Sequence, residues 1–179
     1  MNTWVAFLRG INVGGRNTLR MKDLVIALAD AGCGDVRTYL QSGNVVFNSS
    51  ESSAAALVGQ IEQVVYAIRD IEIQVLVLSM DEFRLAIAAN PFAHAESDPK
   101  ALHLFFLSKP PEDPDLESLD DYMADSESYE LADRVFYLHA PDGIGRSKLA
   151  ARVEGLLGVD ATARNWRTVS KVMEMAEEI

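Results

Sequence analysis

The spacing of apolar residues predicts the same order of strands and helices twice along the chain. The first half opens with an apolar strand over 3–8, and apolar residues then recur at helical spacing from Met21. A hairpin is predicted around Gln41–Asn44. A second helix, the alternating strand 71–78 and one further helix follow. The order β-α-β-β-α-β is typical of a ferredoxin-like unit.

The second half predicts this order again with little sequence identity to the first. A strand over 102–107 precedes a helix, and a hairpin turns at Ala132-Asp133. A helix, a short strand over 159–163 and a last helix complete the unit. We therefore predict an α+β fold, a tandem duplication of two ferredoxin-like units, each followed by an extra helix and packed as one compact protein. The predicted divisions are a first unit at 1–90, a linker at 91–100 and a second unit at 101–179.

The charge of the chain is concentrated in its middle. The 179 residues include 16 Lys and Arg against 27 Asp and Glu, a net charge of −11. Residues 91–133 contain 12 acidic residues and two lysines. The negative electrostatic field of such a chain disfavours binding of a long nucleic-acid duplex, although a local basic patch can still bind phosphate. We interpret the acidic segment as a solvated face.

The chain lacks the residues that several classes of function require. With one cysteine, Cys33, and three scattered histidines, His94, His103 and His139, we expect no disulfide, no metal site and no bound cofactor. The loop Gly10–Gly15 has neither P-loop nor dinucleotide-binding spacing. No apolar run approaches the ~20 residues of a membrane span, and no signal peptide is evident. We expect a soluble, cytoplasmic protein without a membrane partner.

Four loop segments contain more polar residues than a loop that only connects two elements would require. They are Arg9–Asn17, Gln41–Asn44, Gly145–Lys148 and Thr162–Thr168. The first combines adjacent glycines, which let backbone N–H groups turn toward a ligand, with two arginines that offer forked donors. The last two begin predicted helices beside basic residues, where an anion is favoured. The pattern predicts anion binding, although turn chemistry alone also uses glycine, asparagine and serine.

The predicted topology gathers these segments at sheet edges. In a ferredoxin-like unit the first and second strands run parallel, so the loop after one and the turn after the other share an edge. The third and fourth strands also run parallel, which in the second unit brings the loop containing Lys148 to the end of the last strand. The predicted ligand-binding residues are Arg9, Asn12, Gly14, Gly15, Arg16, Ser42, Asn44, Lys148, Arg164 and Asn165.

Four blocks of residues resemble one known family across essentially the whole chain. They are Phe7–Gly15, Thr38–Phe47, Asn90–Phe92 and Thr162–Val169. In this order they are similar to the signature blocks of a bacterial family, the domain of unknown function 1697. The resemblance implies an α+β fold with duplicated ferredoxin-like halves. It implies no activity and no ligand.

The favoured hypothesis is a protein that binds a phosphate-bearing or other anionic ligand, either a small molecule or nucleic-acid phosphate. We predict that the ligand lies in a cleft between the two halves. The cations that would hold it are Arg9, Arg16, Lys148 and Arg164, and the groups that would orient it are Asn12, Ser42 and Asn44.

Two alternatives remain open from the sequence. A hydrolase or transferase could use Ser42 or a bound water, but no Asp, Glu or His falls within the four blocks to act as a general base. A structural or partner-binding module without a small ligand could use the acidic segment 91–133 as a docking face. The sequence identifies no protein partner.

Overall fold

The structure, a computed structural model, describes residues 1–179 as two compact units. One unit is Met1–Leu85 with Ser170–Ile179, and the other is Ala86–Val169. Each contains one four-stranded antiparallel sheet. No helix combines the length and apolarity that crossing a membrane requires.

The first sheet has the strand order β2-β3-β1-β4. Strand β1 pairs antiparallel with both β3 and β4, and β2 pairs antiparallel with β3. Strands β1 and β2 therefore run parallel, as predicted, and their carboxyl ends meet at one edge. The elements are β1 (Asn2–Arg9), α1 (Met21–Asp30), β2 (Gly34–Tyr39), β3 (Asn44–Ser49), α2 (Ala54–Arg69), β4 (Gln74–Ser79) and α3 (Met80–Ala88).

Strand β1 is an interior strand of the first sheet and is buried on both faces. Alternate residues Trp4, Ala6 and Leu8 pack in the same core as the apolar sides of α1 and α2. The intervening Phe7 lies on the opposite face, where its ring meets Phe83 of α3 edge-on at 5.9 Å. An apolar strand without alternation is the sequence expected for this position.

The second sheet repeats the topology with the order β6-β7-β5-β8. Strand β5 pairs antiparallel with β7 and β8, so these two run parallel and end at the same edge. Short 3-10 helices lie at Ala93–Ser97 and Ile144–Arg146. The elements are β5 (Leu102–Leu107), α4 (Leu116–Tyr122), β6 (Ser128–Ala132), β7 (Val135–His139), α5 (Val153–Leu157), β8 (Ala161–Asn165) and α6 (Trp166–Glu177).

The predicted α+β fold with duplicated ferredoxin-like units is confirmed. Strand β8 begins at Ala161, two residues later than predicted, and ends at Asn165. Gly158 has a left-handed backbone with φ +66° and caps α5, and Val159 is buried in the core before the strand begins. The apolar Val159 thus lies in a buried loop, and Ala161–Asn165 pairs with β5.

The last ten residues group with the first unit, whereas the sequence placed them with the second. Within the first unit, the guanidinium of Arg37 on β2 donates to the carboxylate of Glu178 at 2.8 Å. The local apolar spacing of α6 predicts a helix but carries no information about this distant partner. Only the tertiary contact shows that the end of α6 belongs to the first unit.

Candidate functional site

The loop between β1 and α1 contains a tight turn of two glycines. The backbone N–H of Arg16 donates to the carbonyl of Val13 at 3.0 Å, and Gly14 and Gly15 have φ of +58° and +76°. Positive φ at both central residues is the geometry of a type I′ turn, which glycine adopts without strain. The turn is exposed. Backbone conformation therefore explains both glycines, with their N–H groups at a loop tip.

Two asparagines hold this loop in shape. The amide of Asn12 donates to the carbonyls of Leu19 and Gln41 at 2.9 and 2.7 Å, and its oxygen accepts from the N–H of Leu19 at 2.8 Å. The amide of Asn17 donates to the carbonyl of Gly10 at 2.9 Å. The loop is therefore preorganised, and Asn12 joins it to the β2–β3 turn.

Gly43 brings the β2–β3 turn directly against β1. Its carbonyl accepts from the N–H of Leu8 at 2.8 Å. A Cβ at this position would lie 2.7 Å from the Cβ of Leu8 and 2.9 Å from the Cδ1 of Ile11, and φ is +78°. The sequence identified Gly43 only as part of a turn. Its close approach to β1 is a tertiary feature.

Asn44 and Ser42 fasten the same turn. Asn44 is fully buried, and its amide donates to the carbonyl of Tyr39 at 2.8 Å and to the Ser42 hydroxyl at 3.1 Å. An amide cannot take the proton of a hydroxyl, so this contact does not activate Ser42 as a nucleophile. Both residues have structural contacts that require no ligand.

Positive charge surrounds the β1–α1 loop. Arg16, Arg20 and Lys22 are exposed, and their side chains form no hydrogen bond or ion pair within the protein. Arg9, at the end of β1, donates to the side-chain oxygen of Gln74 at 3.2 Å. No acidic residue precedes Asp23 in the sequence. The edge where β1 and β2 end therefore combines a rigid loop with unpaired cations.

The second unit has a related edge where β7 and β8 end. Asn165 pairs with His103 and Leu102 pairs with His139, which aligns the ends of the two strands. The loop that follows β7 leads to Lys148, which is exposed and unpaired. The loop that leads to Lys148 therefore begins at the edge where β8 ends.

Arg164 and Asn165 have defined local roles at this edge. The Asn165 side-chain oxygen accepts from the N–H of Thr168 at 2.9 Å, an N-cap of α6. The guanidinium of Arg164 donates to the carbonyl of Ala163 at 2.9 Å. Burial lowers the pKa of Arg164 to about 10, because removal from water disfavours its charged form.

A substitution pair separates the capping role of Asn165 from ligand binding. Asn165→Ala should lower the free energy of unfolding by about 0.5–2 kcal/mol, whereas Asn165→Asp retains an acceptor and should remain close to the wild type. Urea denaturation monitored by circular dichroism measures both. Equal loss of stability in the two variants would contradict the capping role.

The histidines and the cysteine form no metal or nucleophilic site. The rings of His94 and His139 meet at 5.4 Å, and both contact Phe92 at 6.2 Å. No group of three His, Cys, Asp or Glu side chains is placed to hold a metal ion. Cys33 is buried, and burial raises the pKa of its thiol, which disfavours the reactive thiolate.

From these side chains we predict that chelators and reductants do not change the thermal stability of the protein. We expect the midpoint of thermal unfolding to be unchanged by EDTA or dithiothreitol, since the single cysteine cannot form a disulfide within the chain and no group of three metal-binding side chains is present. Differential scanning fluorimetry measures the midpoint with and without each reagent. A clear decrease after chelation would show that a metal stabilises the fold.

Comparison with known proteins places this fold and these loops in context. A family model described as protein of unknown function (DUF1697) matches residues 1–137. A solved structure of a conserved bacterial protein from Streptococcus pneumoniae is similar with a TM-score of 0.73 and 23% identity over 98% of each chain. At this identity the likeness shows the fold. No curated protein matches the chain.

Proposed function

The chain belongs to the DUF1697 family of proteins of unknown function, and we propose that it binds a phosphate-bearing or other anionic ligand through its polar loops. The ligand contacts the edge where β1 and β2 end, with Arg9 and Arg16 as the principal donors. A cytoplasmic location is part of this proposal, since phosphate-bearing metabolites and nucleic acids are abundant there.

The observation that carries the proposal is a rigid loop with unpaired cations in a chain of net charge −11. Surface arginines are commonly paired with carboxylates, but Arg16 and Arg20 have no such partner. The hydrogen bonds of Asn12 and Asn17 fix the loop before any ligand arrives. A preorganised site loses less conformational entropy on binding than a mobile one.

The donor chemistry favours phosphate or a similar oxyanion. Arg9 and Arg16 offer planar forks that match two oxygens of one phosphate, and the exposed N–H groups of Gly14 and Gly15 add neutral donors. The negative charge of the whole chain opposes a long duplex, so the ligand is small or is a short, flexible phosphate chain.

The edge of the second unit supports the same chemistry by itself. Arg146 and Lys148 are exposed and unpaired in the loop after β7. The α6 N-terminus follows β8 directly and adds a positive dipole end. Because Asn165 already caps one N–H of this helix, the two cations are the stronger attraction for an anion.

Titration of the full chain with defined anions tests the proposal. Inorganic pyrophosphate, ATP and a short single-stranded oligonucleotide are added at constant ionic strength, and unfolding midpoints and binding heats are recorded. We expect at least one to raise the midpoint and to bind saturably. If none exceeds sodium chloride of equal ionic strength, the proposal is wrong.

A matched pair of arginine variants locates any binding that is found. Arg16→Ala should weaken it, because this guanidinium is at the loop tip without a protein partner. Arg84→Ala serves as the control, since Arg84 is exposed on α3 and paired with Asp81 at 3.2 Å. Equal loss in both variants would indicate nonspecific attraction to positive charge.

A further inference from the structure

A groove in the second unit lies between helix α4 and the edge strand β6. It has a volume of about 470 Å³. Leu116 and Met123 form its helix side and Tyr129 and Leu131 its strand side. Leu116 and Met123 are 48% and 36% exposed, and the ring of Tyr129 stacks on Phe136 at 5.0 Å. The groove thus has an apolar floor built on the core.

The strand side of the groove has backbone groups available for pairing. Strand β6 is the last strand of its sheet and pairs only with β7. Its hairpin has a two-residue turn closed by Ala132 and Val135, and such a closing pair exchanges both hydrogen bonds. Because alternate residues face alternate sides of a strand, Tyr129 and Leu131 direct their N–H and C=O groups to the open edge.

The charges at the groove select the class of partner. Asp120 and Glu130 line it, and no Lys or Arg does. The hydroxyl of Tyr129 donates to the carboxylate of Asp120 at 2.6 Å, which holds this carboxylate beside the edge strand. A second copy paired edge to edge would bring like charges together, whereas a basic strand would neutralise them.

We propose that this groove binds an extended basic peptide segment, which adds a strand to β6. Its backbone pairs with Tyr129 and Leu131, alternate apolar side chains enter the groove beside Leu116 and Met123, and lysine or arginine contacts Asp120. Strand addition to an open sheet edge uses main-chain hydrogen bonds for affinity and the adjoining groove for specificity. This inference is independent of the proposed anion site.

The test titrates the full-length protein with a short peptide of alternating lysine and valine. We expect saturable binding by fluorescence anisotropy and chemical-shift changes in the backbone amides of Ser128–Ala132. The same peptide N-methylated on alternate residues should bind at least about tenfold more weakly, because it cannot complete the main-chain pairing. A glutamate–valine peptide should not bind.

Two protein variants separate the groove from general acidity. Asp120→Asn should weaken lysine–valine binding about two- to fivefold, as expected for an exposed ion pair. Glu112→Gln removes an exposed carboxylate that pairs with Lys109 at 3.0 Å outside the groove and should leave binding unchanged. The proposal would be overturned if the two variants weakened binding equally or if the N-methylated peptide still bound. It would also be overturned if the lysine–valine peptide did not bind or if the protein self-associated through β6.

Discussion

Gly43→Ala is expected to lower the free energy of unfolding by about 2–5 kcal/mol. The added Cβ would lie 2.7 Å from the Leu8 Cβ on the buried strand β1, so the turn must move away from the sheet. This movement would weaken the hydrogen bond from the Leu8 N–H to the Gly43 carbonyl. An L-residue at φ +78° adds backbone strain. Urea denaturation at equilibrium measures the loss.

Gly14→Ala is the matched control for this effect. Gly14 also has positive φ, +58°, but a Cβ there meets nothing within 4 Å. Gly14→Ala should therefore lower the free energy of unfolding only through backbone strain, by about 1–2 kcal/mol. If the two variants lose equal stability, the close approach of Gly43 to β1 has no energetic consequence.

Arg9→Ala is expected to reduce anion affinity about tenfold to a hundredfold, as for the loss of one charge-assisted bidentate contact. Arg9 ends a central strand, so the sheet fixes its backbone beside the preorganised loop. Arg9→Lys should also weaken binding, because an ammonium group cannot reproduce the planar fork of arginine. Isothermal titration with pyrophosphate measures the affinity, and thermal melts measure the stability of each variant.

Arg37→Ala is the control for Arg9. Arg37 is on β2, pairs with Val46 and forms an ion pair with Glu178. Its loss should change stability by about 0.2–1 kcal/mol and leave binding unchanged. If Arg9→Ala unfolds the chain and the wild type binds no anion, Arg9 is a structural residue that holds the β1–α1 loop. In that case the proposed function is wrong.

The local roles of the asparagines show how much of the candidate site could be predicted. Glycine, asparagine and serine between apolar strands indicated turns, and the parallel direction of β1 and β2 correctly indicated that these turns share an edge. The residue types did not reveal that the Asn12 and Asn44 amides bind backbone carbonyls. Such partners depend on which loops meet, and the acceptors are backbone groups that every residue has.

Alternation and helical spacing determined the duplicated ferredoxin-like order, because burial on one face imposes a period on the sequence wherever an element packs against a core. They also indicated the apolar strand β1 and a hairpin about Ala132-Asp133, whose two turn residues are Asp133 and Arg134 in the structure. Tertiary structure alone decided that Gly43 contacts β1, that Glu178 joins the first unit and that β6 leaves an open edge beside α4. These features depend on distances between segments far apart in the chain, and no local period encodes such distances.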